Sequence, residues 1–206
     1  VVRFAIELGF SGYPKLQKSL QELIKNKLTT VQRLELSSDY ITEGHALKGV
    51  LKADMENIRS TMEKIDYNTF EDVVNNIFTA KRIYIIGLRS SMALAEFLGF
   101  YLNIILQNVK TVGYGISDIF EQMINVGEGD LVIGIGFPRY ASRTIDALAF
   151  AQDRGATVVA VTDSFLSPLA TRADYALIAQ SNMASFVDSL VAPLSVINAL
   201  IIAVGM

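Results

Sequence analysis

The stretch Arg82-Ile83-Tyr84-Ile85-Ile86-Gly87-Leu88-Arg89-Ser90-Ser91 joins an apolar, β-branched run to a glycine turn and two serines. The run lacks polar alternation, which is typical of a strand covered on both faces of a parallel sheet. Four later runs have the same character, at residues 109–114, 131–135, 157–161 and 175–179. Helical segments separate them, so the sequence predicts an α/β fold with a five-stranded parallel sheet and flanking helices.

The segments between the predicted strands have patterns suited to crossover helices. Helices are predicted at residues 91–106, 116–125, 142–154 and about 184–204, with a short turn at 168–171. Gly155 stands where the glycine that ends a helix is expected. Right-handed crossovers would bring the loops that follow the strands to one edge of the sheet.

The first 80 residues contain no convincing strand and repeat apolar residues at roughly helical spacing. Gly9, Gly12 and Pro14 interrupt this spacing, which predicts a helix, a tight turn and a second helix. Two further helices, at residues 47–66 and 70–80, are predicted to connect this part to the sheet.

Composition is that of an ordinary globular protein, since 51% of the 206 residues are hydrophobic and 19% are charged. The chain has no cysteine, which excludes disulfides and thiolate metal sites and favours an intracellular, cytoplasmic setting. A single histidine, His45, argues against histidine-based zinc chemistry. We therefore expect neither a metal nor a cofactor.

Charge is distributed unevenly along the chain. Residues 1–33 hold six Lys and Arg against two acidic residues, residues 34–80 hold four against nine, and residues 81–206 hold eight against ten. The basic excess at the beginning indicates a partner for that end alone.

Residues 190–206 carry no charge, which raises the alternative of a membrane span. The stretch falls short of the roughly 20 residues that a span needs, and Pro193 and Asn198 interrupt it. A buried or subunit-contact helix is favoured, and no membrane partner is expected.

The first candidate site is the loop after the first strand, with Arg89, Ser90 and Ser91 as candidate ligand-binding residues. Gly87 permits a sharp turn, and the serines offer hydroxyls beside the unpaired amides of a helix N-terminus. Such an end binds anions, phosphate in particular. The alternative is that one serine only caps the helix.

The second candidate site is the loop after the third strand, and its candidate residues are Gly136, Phe137, Arg139, Tyr140, Ser142 and Thr144. Arg139 can bind a carboxylate or phosphate in bidentate fashion, and the hydroxyl of Ser142 or Thr144 can contribute. The alternative for Arg139 is a surface ion pair. Ligands bind beyond the carboxyl ends of parallel strands, often where strand order reverses, so the two loops are expected to form one site. Residues 162–168 would complete its rim, although they also suit an ordinary turn.

A dinucleotide site is the obvious competitor. The sequence Gly134-Ile135-Gly136 lacks the third glycine of the G-x-G-x-x-G pattern, because Arg139 stands in its place. A P-loop lysine is also missing, so nucleotide binding is disfavoured.

Three parts of the sequence carry a family resemblance. The run Thr157-Val158-Val159-Ala160-Val161-Thr162-Asp163-Ser164-Phe165-Leu166-Ser167-Pro168-Leu169-Ala170 resembles the SIS domain, as does the run from Gly87 to Ser91. Val1-Val2-Arg3-Phe4, followed by Leu8-Gly9-Phe10-Ser11-Gly12-Tyr13-Pro14-Lys15-Leu16, is similar to the end of the RpiR-type helix-turn-helix domain. The chain thus resembles the RpiR/MurR family of transcriptional regulators with a C-terminal SIS domain, which is flavodoxin-like and binds phosphosugars.

The resemblance implies three parts. Residues 1–36 would be the C-terminal part of an all-α helix-turn-helix domain, residues 37–80 a helical linker and the start of the SIS domain, and residues 81–206 the SIS effector-binding domain. It further implies a homodimer or homotetramer that binds operator DNA and a phosphorylated sugar or related anion, and is not an enzyme. Arg3, Lys15 and Lys18 are the candidate DNA contacts, with a solvated basic face as the alternative.

Ser91 matches the serine that contacts phosphate in the family's first loop. The second loop departs from the common Ser-x-Ser-Gly-x-Thr pattern, since Gly136, Pro138 and Ala141 replace hydroxyl residues and Arg139 replaces the glycine. The resemblance therefore implies a different anion or a non-standard sugar acid as the effector.

A sugar-phosphate isomerase on the same domain is the alternative function. Enolisation needs a positioned base and acid near the sugar. Glu96, Asp118 and Glu121 are possible bases, but the single histidine lies in the N-terminal half. A purely structural oligomerisation module is a third possibility.

Overall fold

The computed structural model describes residues 2–9, 11–13, 15, 16, 46–115, 117–183 and 187–206. The strands are β1 (Ile83–Gly87), β2 (Val109–Val112), β3 (Leu131–Ile135), β4 (Thr157–Thr162) and β5 (Tyr175–Ile178). The helices are α1 (Val2–Glu7), α2 (Ala46–Lys64), α3 (Tyr67–Thr79), α4 (Ser91–Leu106), α5 (Ile119–Gln122), α6 (Ser142–Gln152) and α7 (Val191–Gly205), with a 3-10 turn at Ala170–Arg172.

The five strands form one parallel sheet in the order β2-β1-β3-β4-β5. The chain proceeds outward from β1 to β2, then returns to place β3 on the other side of β1. Strand order therefore reverses between β1 and β3, which is where α/β sheets open a crevice for ligands. The predicted α/β class and the five-stranded parallel sheet are confirmed.

Alternate strand residues point to opposite faces, so the sheet supports two cores. On one face, Ile85 of β1 belongs to a cluster that includes Leu98 of α4 and Ile197 of α7. On the other face, Ile86 belongs to a cluster that includes Leu148 of α6 and Met123, which follows α5. The helices that follow β1 and β3 thus lie on opposite faces, and their N-termini flank the crevice.

Two helix boundaries were predicted wrongly. The helix predicted at 116–125 is reduced to α5, because Asp118 and Glu121 form a capping box and the Gln122 side chain donates back to the Gly113 carbonyl at 2.8 Å. The helix predicted from about residue 184 begins at Val191, because the side chains of residues 188 and 189 are held in tertiary contacts. Residues 116 and 184–186 themselves lie outside the described residues.

Gly155 adopts the predicted role. Its φ of +76° is in the left-handed region, and the amide of Ala156 donates to the carbonyl of Ala151 at 3.1 Å. This is the pattern of a helix terminated by glycine.

The last helix, α7, is buried along one face, where Val196, Leu200 and Val204 join the core. Among the described residues, none of the helices combines the length and the apolar character that crossing a bilayer requires. The helix-turn-helix prediction is represented only by α1 and by residues 11–13, 15 and 16. The rest of that predicted segment lies outside the described residues, as does His45 in the predicted linker.

Candidate functional site

The loops after β1 and β3 meet over the reversal point of the sheet and enclose a cavity of about 270 Å³. Its lining residues are Leu88, Arg89, Ser90, Ser91, Ile135, Gly136, Phe137, Pro138, Arg139, Ala141 and Thr144. The expectation that the two loops share one site agrees with this geometry. The rim is cationic, and hydroxyls lie among apolar walls.

The first loop turns tightly at Gly87. A Cβ atom on Gly87 would lie 2.5 Å from the carbonyl oxygen of Ser91, so no side chain fits there. Ser91 begins α4 and is buried, with 5% of its surface exposed. Ser90, at the N-cap position, makes no capping hydrogen bond through its side chain. The alternative that Ser90 caps the helix is therefore not what this loop shows.

Both loops hold an arginine in the left-handed region, with φ of +58° for Arg89 and +69° for Arg139. A non-glycine residue in this region costs roughly 1–3 kcal/mol, and such residues cluster at ligand sites. The guanidinium of Arg89 donates to the carbonyl oxygen of Arg139 at 3.4 Å, which ties the loops together. Arg139 stands where the family's common pattern has glycine, and its φ explains that preference.

Arg139 also pairs with a carboxylate that the sequence did not indicate. Its Nη2 lies 2.7 Å from Oδ2 of Asp188, and the Asp188 side chain is 7% exposed. Arg139 thus lines the cavity and forms an ion pair that is not at the surface, and its ligand-binding role stays a prediction.

Arg89 is the more accessible of the two cations. Its side chain is exposed, and no carboxylate within the described ranges forms a salt bridge with it. It can therefore approach an anionic ligand without giving up a charged partner, since its described hydrogen bond is to the carbonyl oxygen of Arg139.

Thr144 supplies a buried hydroxyl to the cavity. It lies in the first turn of α6, is 1% exposed, and its Oγ1 has no hydrogen-bond partner among the residues that the structure describes. A buried polar atom without a partner is costly and rare, and it often marks a ligand or water site. An anionic oxygen placed in the cavity would satisfy it.

Two predicted residues lie beside the cavity and do not line it. Ser142 is exposed at the start of α6. The Tyr140 hydroxyl donates to Oδ1 of Asp163 at 2.7 Å, so it joins the second loop to the loop after β4. In that third loop, Ser164 and Ser167 accept hydrogen bonds from the amides of Leu166 and Ala170, as in an ordinary turn.

Burial, followed by the hydrogen bond to Asp163, raises the pKa of Tyr140 well above its usual value. The folded state thus favours the neutral phenol. Tyr140→Phe is expected to lower the free energy of unfolding by about 1–2 kcal/mol at neutral pH through loss of the hydrogen bond. Because the pKa of Tyr140 is raised in the folded state, the stability that its phenol gives the native protein is fully present below about pH 10. This stability is lost as the pH rises further.

Urea denaturation of both proteins between neutral and alkaline pH checks this expectation. Tyr67→Phe is the matched control, because Tyr67 is 69% exposed and its loss should change stability little. A stability difference for Tyr140→Phe that stays constant above pH 10 would contradict the assigned pKa direction.

Of the three candidate DNA contacts, only one has a side chain that the structure describes. Arg3 lies in α1, but its side chain is not among the described ones. Lys15 is exposed, and Lys18 lies outside the described residues. Their role stays a prediction.

Comparison with known proteins decides the family. The SIS domain family matches residues 76–203, well over half of the chain. The chain belongs to the SIS domain family. The SIS domain crystal structure of an RpiR transcription factor from Sphaerobacter thermophilus is 31% identical, with a TM-score of 0.75, and the match covers 78% of this chain and 90% of that one. The predicted resemblance of this SIS domain to those of RpiR-type regulators is confirmed.

Other relatives place similar SIS domains in different settings. An "uncharacterized HTH-type transcriptional regulator" of Haemophilus influenzae is 30% identical over 183 residues, which is 86% of this chain and 62% of that protein. A "bifunctional protein glk" of Burkholderia thailandensis is 26% identical over 184 residues, which is 86% of this chain and 27% of that protein. The NanR protein of Vibrio vulnificus, solved with ManNAc-6P, shares the fold at 20% identity and a TM-score of 0.66, over 99% of this chain and 72% of that one. This chain spans 62% and 63% of the lengths of the first two curated relatives that it matches, or about three-fifths.

Proposed function

We propose that this chain is a bacterial transcription regulator of carbohydrate metabolism, acting in the cytoplasm as a homodimer or homotetramer. Its SIS domain binds a phosphorylated sugar or related anion between the loops after β1 and β3, and its N-terminal helical part binds operator DNA. Similarity to regulators named as helix-turn-helix proteins supports the DNA-binding half of this proposal. NanR, a structural neighbour solved with a sugar phosphate, supports the ligand class.

One observation carries the ligand proposal. The cavity at the reversal point combines the buried, unpartnered hydroxyl of Thr144 with the guanidinium of Arg89 beside two helix N-termini. These are the groups that bind phosphate oxygens in proteins. The buried apolar side chains of Leu88 and Phe137 also line the cavity.

The same lining favours binding over isomerisation. Neither a carboxylate nor an imidazole is found among the described residues that line the cavity, so a general base is missing there. Of the three possible bases, Asp118 and Glu121 are used in the capping box of α5. Glu96 lines a separate cavity of about 620 Å³ together with Lys110 and Tyr114.

A thermal-shift screen of sugar phosphates, sugar acids and plain sugars tests the ligand proposal. We expect phosphorylated or acidic sugars to raise the melting temperature, because a ligand that binds only the folded state stabilises it. Arg139→Ala and Ser91→Ala are each expected to abolish the shift given by the best compound. An unchanged shift in both variants would rule out this cavity as the site.

The DNA-binding half is tested separately with the full-length protein and the DNA upstream of its own gene. Sequence-dependent retardation that weakens steeply as salt is raised is expected, since phosphate contacts release counterions. Absence of retardation at low salt would refute the proposed regulator function. Interconversion of ketose and aldose phosphates at enzymatic rates would support the alternative function, a sugar-phosphate isomerase.

A further inference from the structure

The guanidinium of Arg139 is already paired with the carboxylate of Asp188. The pair joins Nη2 and Oδ2 at 2.7 Å, and Asp188 is 8% exposed as a whole residue. Arg139 lines the cavity in which the proposed function places the ligand's anionic group. An anion entering the cavity and Asp188 are thus both within reach of the same guanidinium.

The residue next to Asp188 is attached to α2. The Ser189 hydroxyl donates to Oδ1 of Asp54 at 2.6 Å. Residues 180, 182 and 189 are therefore all held against the same helix, because residues 180 and 182 also bond to α2.

Those bonds are made by buried polar side chains. Asn57, 2% exposed, donates to the carbonyl of Asn182 at 2.9 Å and accepts from its amide at 3.2 Å. Thr61, 6% exposed, accepts from the amide of Gln180 at 2.8 Å. Buried hydrogen bonds of this kind are either formed or broken, so the contact between α2 and residues 180 and 182 has two discrete states. A contact with two discrete states can act as a switch.

Helix α2 begins at Ala46, and the basic excess lies earlier in the sequence, in residues 1–33. We infer that a change in how α2 is held is passed to the segment that precedes it in the sequence, which the proposed function assigns to DNA. Coupling between two sites requires an element whose state both of them bias, and α2 with its partners in residues 180–183 and 187–190 is placed to be that element.

We propose that Asp188 is an internal competitor for the ligand's anionic group at Arg139, and that its displacement loosens residues 180–183 and 187–190 from α2. This inference rests on the proposed function of the cavity. The displacing group is a phosphate or carboxylate, since either offers the paired oxygens that an arginine binds. Asp188 thus sets both the affinity for the effector and the state of α2.

The first test titrates inorganic phosphate into the native protein and Asp188→Asn by calorimetry. Removing the internal charge takes away one competitor for Arg139, so we expect Asp188→Asn to bind phosphate roughly five- to tenfold more tightly. Asp146→Asn is the matched control, because Asp146 is an exposed carboxylate on α6 and should leave the affinity unchanged.

The second test follows hydrogen exchange in the native protein with and without saturating phosphate. The amides of Gln180 and Asn182 report on the contact with α2, and we expect them to exchange faster when phosphate is bound. This readout does not depend on how any variant folds.

The outcomes separate the two proposals. If native protein binds phosphate and Thr144→Val does not, but Asp188→Asn changes neither affinity nor exchange, the competitor role of Asp188 is overturned and the ligand site stands. If the native protein binds no phosphate, both proposals fall. Tighter binding by Asp188→Asn with faster exchange of the two amides supports the switch.

Discussion

Replacing Arg89 with methionine and Thr144 with valine together is expected to lower the affinity for inorganic phosphate by roughly a hundredfold to ten-thousandfold, because two charge-assisted hydrogen bonds worth about 1.5–3 kcal/mol each are removed. The Thr144 hydroxyl is buried and unpartnered among the described residues, and Arg89 faces the same cavity. Calorimetric titration of the native protein and the double variant measures the effect.

The same double variant should be as stable as the native protein. Valine matches threonine in shape and removes a buried hydroxyl that lacks a described partner, so the unfolding free energy should stay constant or rise by about 1 kcal/mol. Arg89 is exposed, and its removal should matter little to folding. A fall in affinity accompanied by an equal loss of stability would indicate structural damage and would contradict the assigned roles.

Gly87→Ala is expected to lower the unfolding free energy by about 3 kcal/mol, because the turn between β1 and α4 has no room for a methyl group. The added Cβ would lie 2.5 Å from the Ser91 carbonyl oxygen and 3.1 Å from the Cβ of Ala95. The first of these neighbours is backbone, which cannot move without displacing the start of α4. Phosphate binding should fall with it, since Ser91 would move.

Gly49→Ala is the matched control for this substitution. Gly49 lies inside α2, and nothing lies within 4 Å of a Cβ built there. Alanine favours a helix over glycine, so this variant should be stabilised by about 0.5–1 kcal/mol. Urea denaturation followed by circular dichroism measures both, and equal stabilities for the two variants would contradict the close approach at Gly87.

Local patterns were sufficient to predict the sheet and the placement of the site loops. The buried strands read as apolar runs because both faces of the sheet are covered, and α4 has the predicted bounds, Ser91–Leu106. The reversal of strand order then follows from the connections, and it brings residues 89 and 139 together across 50 positions.

The remaining features depend on contacts that no local pattern reports. The carboxylate of Asp188 lies 49 positions from Arg139, and Asp54 lies 135 positions from Ser189. These bonds fix residues 188 and 189 outside the last helix, which is why its start was predicted too early. The outward direction of Ser142 was missed for a related reason, since the rotation of α6 is set by packing of Ala147 and Leu148 against the sheet.

The most direct test of the central claim is an X-ray structure of the protein crystallised with the sugar phosphate that gives the largest thermal shift. We predict electron density for the phosphate in the cavity between the loops after β1 and β3, within hydrogen-bond distance of the Thr144 hydroxyl and the Arg89 guanidinium. Density for the phosphate in the separate cavity lined by Lys110 and Tyr114, with Thr144 Oγ1 left without a partner, would contradict the claim.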